Sequence, residues 1–198
     1  MTVFSMPCLP KPSPTDRLLA GVVLLLTLMI AAAFPAMADG IEIKSAELEQ
    51  VDESYLLKAD MGISLGSKVE DALNKGVLLN FVADFELKRP RWYWFDEVVV
   101  SAQQTFRLSY NALTRQYELK INNQHRTFSS FDEAKQGLTR LRDWKVAERG
   151  QIKKHQAYVA ALRMRLDTSL LPKPLQINAL ASKDWTLDSD WHRWNVTP

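Results

Sequence analysis

The chain has 198 residues, of which 24% are charged and 46% are hydrophobic, and its net charge at pH 7 is +2. This near balance excludes a nucleic-acid binder that works through a clustered excess of basic residues. The one cysteine, Cys8, precedes the first apolar run, so thiolate metal sites and cysteine nucleophiles are excluded from the rest of the chain.

The first 38 residues have the pattern of a signal peptide. A basic start leads into an apolar run at residues 18–34, and Ala36-Met37-Ala38 is a small-x-small cleavage site. We expect cleavage after Ala38, which leaves one domain at residues 39–198 in the periplasm. The alternative is an uncleaved anchor in the inner membrane, because 17 apolar residues are at the short limit of a membrane span. No other segment is expected to contact a membrane.

Period-two alternation of apolar and polar residues dominates the rest of the chain. This pattern predicts β-strands with one buried face. In the first segment the phase changes between Ile43 and Ala46, which predicts a β-bulge. Because tight turns join most of the segments, we expect them to pair in an antiparallel arrangement. The clearest alternations predict strands at residues 55–65, 77–87, 98–110, 117–121, 125–128 and 158–166.

Two helices are predicted between these strands. Ser67-Lys68-Val69-Glu70 and Ser130-Phe131-Asp132-Glu133 both match a capping box. The first helix should end at Gly76, a typical left-handed C-cap, and the second continues to Leu141 at helical spacing. Residues 144–151 are interpreted as a polar link. The predicted fold is α+β and mostly β: an antiparallel β-sandwich-like domain with two short capped helices.

Gly62-Ile63-Ser64-Leu65-Gly66 matches the G-x-S-x-G pattern of a nucleophile elbow, between a predicted strand and a predicted helix. Two arguments oppose a catalytic Ser64. It lies on the polar face of an unbroken alternation, so the chain should stay extended instead of turning sharply. The parallel sheet that supports such an elbow also needs more chain than residues 39–198 provide. We therefore expect no catalytic residue, and we keep a small serine hydrolase using Ser64 as an alternative.

The three histidines, His125, His155 and His192, show neither the H-x-H nor the H-x-x-x-H spacing of a metal site. One of them could act as a base for Ser64 only if the tertiary structure brought the two together. The sequence also contains no phosphate-binding loop and no dinucleotide-binding fingerprint. We expect neither a metal nor a cofactor.

The most unusual stretch is RPRWYWFDE at residues 89–97. In an extended strand, Trp92 and Trp94 would point to one side and the other two rings to the opposite side. As a binding surface, the indoles would stack on sugar rings or prolines, and Arg89 and Arg91 would grip anionic groups. The alternative, which the ordinary aromatic content favours, is that these rings pack in the core.

A second aromatic cluster near the C-terminus includes Trp185, Trp191 and Trp194. We favour a structural role, in which this segment closes the sandwich as a last strand. Otherwise it lines a groove, and Trp191 and Trp194 join the binding residues. Just before the cluster, LPKPL at residues 171–175 predicts a proline-stiffened turn between elements.

Several stretches together carry a family resemblance: residues 41–48, EDALxxGVxL at 70–79, RWYW at 91–94, LSYxxLTR at 108–115, LDTSxLPKPL at 166–175 and WxLxSxW at 185–191. They resemble an uncharacterised family of exported proteobacterial proteins, a domain of unknown function. The resemblance implies a Gram-negative envelope setting and gives no activity or catalytic residue to transfer. Genes of this family often lie near a membrane sensor kinase of the nitrogen-regulation type, which implies an accessory role.

The combined expectation is a non-catalytic binding or interaction module of the cell envelope, whose partner is a protein or an envelope polymer. The alternatives are the Ser64 hydrolase and an accessory protein to an inner-membrane sensor kinase, held by an uncleaved N-terminal helix. The expected binding residues are Arg89, Arg91, Trp92, Trp94, Trp191 and Trp194.

Overall fold

The computed structural model describes residues 40–198, except for the side chain of Leu180. The expected signal peptide lies outside the described residues. Within them the chain forms two antiparallel sheets and three α-helices. This confirms the predicted class, an α+β, mostly β, sandwich-like domain, although it has three helices instead of two. No helix in this part of the chain is long and apolar enough to cross a membrane.

The elements follow one another with short connections. The three helices are α1 (Ser67–Asn74), α2 (Phe131–Thr139) and α3 (Lys173–Ala181). Short 3-10 turns occur at Arg149–Gln151, Thr168–Leu170 and Lys183–Trp185. The strands are β1 (Gly40–Val51), β2 (Ser54–Ser64), β3 (Leu79–Arg89), β4 (Glu97–Asn111), β5 (Gln116–Ile121), β6 (Gln124–Phe128), β7 (Arg140–Glu148), β8 (Tyr158–Leu166) and β9 (His192–Val196). All six predicted strands are therefore present within two residues of their expected ends.

The small sheet has the order β1-β2-β7, and the large sheet has the order β6-β5-β4-β3-β8-β9. α1 carries the chain from β2 in the small sheet to β3 in the large one, and α2 returns it from β6 to β7. Stacked sheets lie about 10 Å apart, and a helix of two turns is about 12 Å long. A short helix can therefore make each crossing while it buries one of its faces.

The side chains between the two sheets form one hydrophobic core. β3 lies in the middle of the large sheet, and its inward-facing Phe81, Phe85 and Leu87 are fully buried. The alternation of β2 likewise buries every second residue, with Leu57 completely inaccessible. The Phe85 ring contacts Trp144 of the small sheet, with ring centroids 6.4 Å apart. The period-two pattern is thus explained by two sheets that bury their facing sides.

The predicted bulge in the first segment is confirmed. The pairing of β1 with β2 shifts register between Ile43 and Ser45. On either side of the shift, Ile41 and Ile43 are buried, whereas Ala46 and Leu48 are partly buried and pack against the core. The extra residue restores the inward direction of the apolar side chains after the phase change.

The capping box predicted for α1 is wrong at its first residue. Gly66 is the N-cap, no side chain caps the helix, and Ser67 is already the first helical residue. The C-terminal end is as predicted: Gly76 has a φ of +84°. Its N–H donates to Leu73 and that of Val77 donates to Ala72, at 2.8 and 3.0 Å. These two bonds form a Schellman motif, which needs the left-handed conformation that glycine adopts without strain.

The cap predicted for α2 is confirmed at Ser130. Its hydroxyl oxygen accepts a hydrogen bond from the Glu133 N–H at 3.2 Å. The returning bond is displaced by one residue, because the Glu133 carboxylate accepts from the N–H of Ser129, also at 3.2 Å. α2 therefore has a capped first turn, while α1 depends on the burial of Val69 and Leu73.

We expect Ser130→Ala to lower the free energy of unfolding by about 1 kcal/mol, because the first turn of α2 loses the acceptor for an otherwise unpaired N–H. The matched control is Ser67→Ala, which should change it by less than about 0.5 kcal/mol, since no side chain caps α1. Urea unfolding of the two variants measures both values. Equal losses at the two serines would contradict the caps assigned here.

The segment after α2 is a strand, so the polar link predicted at residues 144–151 is wrong up to the end of β7. Trp144 and Leu141 are both buried, and Leu141 belongs to β7 instead of the helix. Opposite β2, the residues Arg142 and Asp143 face a single partner position, and Asp143 has a φ of +53°. This bulge breaks the period of two, which is why alternation did not reveal the strand.

Residues 171–175 form a turn that leads directly into a helix. Pro172 is the N-cap of α3, and Pro174 lies in the first helical turn, where its missing N–H removes no hydrogen bond. The side-chain amide of Gln176 donates to the Leu171 carbonyl at 2.7 Å and so fixes the turn. The prediction of a turn is right for Leu171 and Pro172, but the helix α3 that begins at Lys173 was not predicted.

Candidate functional site

The connection between β3 and β4, residues 90–96, forms the aromatic loop. Its four consecutive rings are largely exposed: the accessible fraction is 95% for Trp92, 64% for Tyr93, 69% for Trp94 and 83% for Phe95. Single exposed hydrophobic residues are ordinary, whereas contiguous ones mark interaction sites. The alternative in which these rings pack in the core is therefore wrong.

The four rings pair with their sequence neighbours. The Trp92 and Tyr93 ring centroids are 5.4 Å apart with an interplanar angle of 76°. For Trp94 and Phe95 the values are 5.8 Å and 80°. Both pairs are edge-to-face contacts, the arrangement that the ring quadrupoles favour. Because neighbouring rings are nearly perpendicular, the loop presents an uneven aromatic surface instead of a flat one.

Two arginines and one glutamate lie at the base of the aromatic loop. Arg89 and Arg91 both bond to the Glu97 carboxylate, with the Arg91 Nη2 2.5 Å from Oε2. Hydrogen bonds from Arg91 and from Arg89 hold the pKa of Glu97 below its ordinary value of 4.5. Glu97 therefore stays ionised at neutral pH. We conclude that both guanidinium groups position the ends of the loop, since their charge is shared with a carboxylate.

The C-terminal tryptophans pack against residues outside the aromatic loop. Trp194 lies on β9 with its ring centroid 6.3 Å from that of Phe85 and is half-buried against the core. Trp191 lies over the guanidinium of Arg163, which is 4.7 Å from the ring centroid. The favoured structural interpretation of this segment holds for β9, which pairs with β8 as the last strand of the large sheet.

The outer face of the large sheet holds a carboxylate with three side-chain partners, Asp84. Its Oδ2 accepts hydrogen bonds from Arg163 at 3.0 Å and Arg165 at 3.2 Å, and its Oδ1 accepts one from Gln103 at 3.0 Å. Burial raises the pKa of Asp84, but the bonds from Arg163, Gln103 and Arg165 outweigh burial and keep it below the ordinary value of 3.8. Trp191 covers one of these arginines and so belongs to this cluster.

Ser64 does not have the backbone of a nucleophile elbow. It is the last residue of β2, where it pairs with Gly40 in extended conformation, as the alternation predicted. The residues with positive φ between 40 and 198 do not include it. The three histidines lie on β6, in the turn before β8 and on β9. Within the described residues, no three side chains of the metal-ligating types lie close enough together to hold an ion.

Gln104 is a buried polar residue that was not predicted from the sequence. It lies on β4 between Ala102 and Phe106, at a position whose neighbours in the alternation face the core. Only 7% of Gln104 is accessible, and its side-chain oxygen has no hydrogen-bond partner within residues 40–198. The signal was present: a glutamine interrupts the apolar phase of the strand at this position.

Comparison with known proteins gives one match. The model of the family described as "Domain of unknown function (DUF4390)" matches residues 38–195. The chain belongs to this family. No curated protein matches the chain, and no solved structure matches it. The match to the DUF4390 model includes all of both sheets except Val196 of β9, together with the aromatic loop and Gln104, so these features lie inside the family domain.

Proposed function

We propose that this DUF4390 protein is exported to the periplasm and acts there as a non-catalytic binding module, with the aromatic loop as its contact surface. The observation that carries the proposal is the exposure of four consecutive aromatic side chains on one loop. Burying these rings against a partner would release a large apolar area from water, at roughly 25 cal/mol per Å². Tryptophan and tyrosine are also the side chains most often found at the energetic centre of interfaces.

The geometry favours a protein partner over an envelope polymer. Adjacent rings stand at 76° and 80° to each other, so they do not offer the flat face on which successive sugar rings stack. Residues 89–97 carry two arginines, Arg89 and Arg91, and two carboxylates, Asp96 and Glu97, so this segment has no net charge and charge contributes little to the attraction. An uneven apolar projection fits a concave apolar groove, which is a feature of protein surfaces.

We expect the double variant Trp92→Ala/Trp94→Ala to keep its stability while it weakens partner binding at least about tenfold. Both rings are exposed, so the free energy of unfolding should change by less than about 1 kcal/mol. Urea unfolding measures the first effect, and a binding titration with the purified partner measures the second. A variant that unfolds would mean that these rings support the fold, which contradicts the proposal.

The partner can be found with a photocrosslinking phenylalanine analogue placed at Tyr93 in cells. The matched control position is Leu113, which is 96% exposed in the turn between β4 and β5. We expect one protein adduct from position 93 that disappears in the double tryptophan variant, and no such adduct from position 113. Equal adducts at both positions, adducts with envelope polymer, or no adduct would each contradict a protein-binding loop.

Export has its own test, which is independent of the loop. The mass of the protein recovered from the periplasmic fraction should correspond to residues 39–198, starting at Asp39. An intact mass that includes residues 1–38 would instead support the membrane-anchored alternative, and recovery from the cytosol would contradict export.

A further inference from the structure

A cleft separate from the aromatic loop opens between the two sheets, beside α2. It has a volume of about 960 Å³ and is lined by β4, the β5–β6 hairpin, α2 and β7. None of residues 89–97 lines it. A volume of this size lies in the range of about 300–1,000 Å³ that is typical of small-molecule sites.

The first evidence for a ligand is the unpartnered oxygen of Gln104, which lines this cleft. A buried acceptor without a donor costs about 1–3 kcal/mol, and an apolar residue of the same size would avoid that cost. Only 7% of Gln104 is accessible, and it lines the cleft, so a donor can approach its side chain only from the cleft. A bound molecule with a hydroxyl or N–H group at this place would supply it.

The second piece of evidence is the charge of the lining. Arg126 and Arg140 both line the cleft and form no ion pair within residues 40–198. Two further cations of the lining form ion pairs with carboxylates that do not line the cleft. Arg142 pairs with Asp60 and Lys145 with Glu148, each at 2.6 Å. The lining also holds two carboxylates: Glu133 accepts hydrogen bonds from the N–H and the hydroxyl of Ser129, and Asp143 in the bulge acts electrostatically on Lys58. Arg126 and Arg140 are thus the lining cations left to bind an anionic group of a ligand.

The third piece of evidence is the number of side-chain amides. Asn122, Asn123, Gln124 and Gln136 line the cleft together with Gln104. An amide both donates and accepts hydrogen bonds, so it matches the hydroxyl groups of a sugar, which do the same. The half-buried Ile121 and Phe128 offer apolar surface to the ring face. The bulge in β7 turns Arg142 and Asp143 to this cleft, and bulges are frequent beside binding sites.

We propose that this cleft binds an acidic saccharide, a molecule with ring hydroxyls and at least one carboxylate. A hydroxyl donates to Gln104 Oε1, and the carboxylate accepts hydrogen bonds from the guanidinium groups of Arg126 and Arg140. An acidic peptide would satisfy the arginines as well, but it lacks the array of hydroxyls that five amides can match. This site stands whether or not the aromatic loop binds a protein.

Calorimetric titration of the purified protein tests the site, with trigalacturonic acid as the probe. Maltotriose, which is neutral, and triglutamate, which has no hydroxyls, are the comparison ligands. We expect trigalacturonic acid to bind at least about tenfold more tightly than either. No binding at about 1 mM, or tighter binding of triglutamate or maltotriose, overturns the proposal.

Two variants assign the binding to this cleft. Gln104→Leu should weaken the binding of trigalacturonic acid at least about tenfold without lowering the free energy of unfolding, because the substitution removes a buried acceptor that has no donor. Arg140→Gln should weaken the binding of trigalacturonic acid by a similar factor and reduce the dependence of this affinity on salt concentration. Arg115→Gln, at an exposed arginine outside the cleft, is the matched control and should bind unchanged. Unchanged affinity in Gln104→Leu or in Arg140→Gln overturns the assignment.

Discussion

Replacing Phe85 by Ala is expected to lower the free energy of unfolding by about 3–5 kcal/mol. Phe85 is fully buried on the central strand of the large sheet. Its ring lies between Trp144 of β7 and Trp194 of β9, with centroid distances of 6.4 and 6.3 Å. Truncation would remove one of the core contacts between the two sheets, that with Trp144, and would leave a cavity. A loss of this size is a large part of the stability of an ordinary domain.

The matched control is Phe95→Ala, the same substitution at a ring that is 83% exposed in the aromatic loop. It should change the free energy of unfolding by less than about 0.5 kcal/mol. Urea unfolding gives both values. In thermal unfolding, the midpoint temperature Tm should fall by roughly 6–20 °C for Phe85→Ala and stay nearly unchanged for the control. Similar effects at the two positions would show that the burial assigned to one of the rings is incorrect.

Asp84→Asn is expected to cost about 2–3 kcal/mol at pH 7. The substitution removes the charge that Arg163 and Arg165 share on the outer face of the large sheet. Only 18% of the Asp84 side chain is accessible, so water compensates little for the loss. The Nε of Arg163 is already buried without a partner, and the Trp191 ring covers the same guanidinium. Two neighbouring cations would then remain with no anion between them.

The effect of Asp84→Asn should depend on pH in a defined direction. The hydrogen bonds lower the pKa of Asp84 in the folded protein, so its contribution to the free energy of unfolding is fully present above the ordinary pKa of 3.8. This contribution is lost as the pH falls through the lower pKa that Asp84 has in the folded protein. The difference in stability between the original protein and the variant should therefore be constant from pH 7 to about pH 5 and shrink below about pH 4.

Urea unfolding at several pH values measures this difference. Asp190→Asn serves as the control, because Asp190 is exposed and has no hydrogen bond or ion pair among the described residues. It should give a difference below about 0.5 kcal/mol at every pH. A difference for Asp84→Asn that grows on acidification would contradict the proposed charge cluster.

The strands were predictable wherever the chain alternates without interruption. β2, β3 and β8 lie within two residues of the expected ranges. Where the period is broken, prediction failed: β7 contains the bulge at Arg142–Asp143, and its residues look like a polar link. The cap predicted at Ser67 was wrong by one residue, because Gly66 is the N-cap and Ser67 already belongs to the helix. A motif identifies a possible helix start but does not decide its exact residue.

The candidate sites were predictable only as lists of residues. The sequence singled out Trp92, Trp94, Trp191 and Trp194 together, but the structure exposes the first two and packs the others against Phe85 and Arg163. The cleft was not foreseen at all. Its lining comes from β4, β5, β6, α2 and β7, which are brought together only when the two sheets stack.

The sequence by itself determined the fold class and the buried face of most strands, because successive side chains point to opposite sides of an extended backbone. It determined the left-handed end of α1, because glycine alone adopts that conformation without strain. Only the tertiary structure decided which aromatic side chains stay in water and where Gln104 is left without a donor. Burial depends on what packs against a residue, and these neighbours are distant in the sequence.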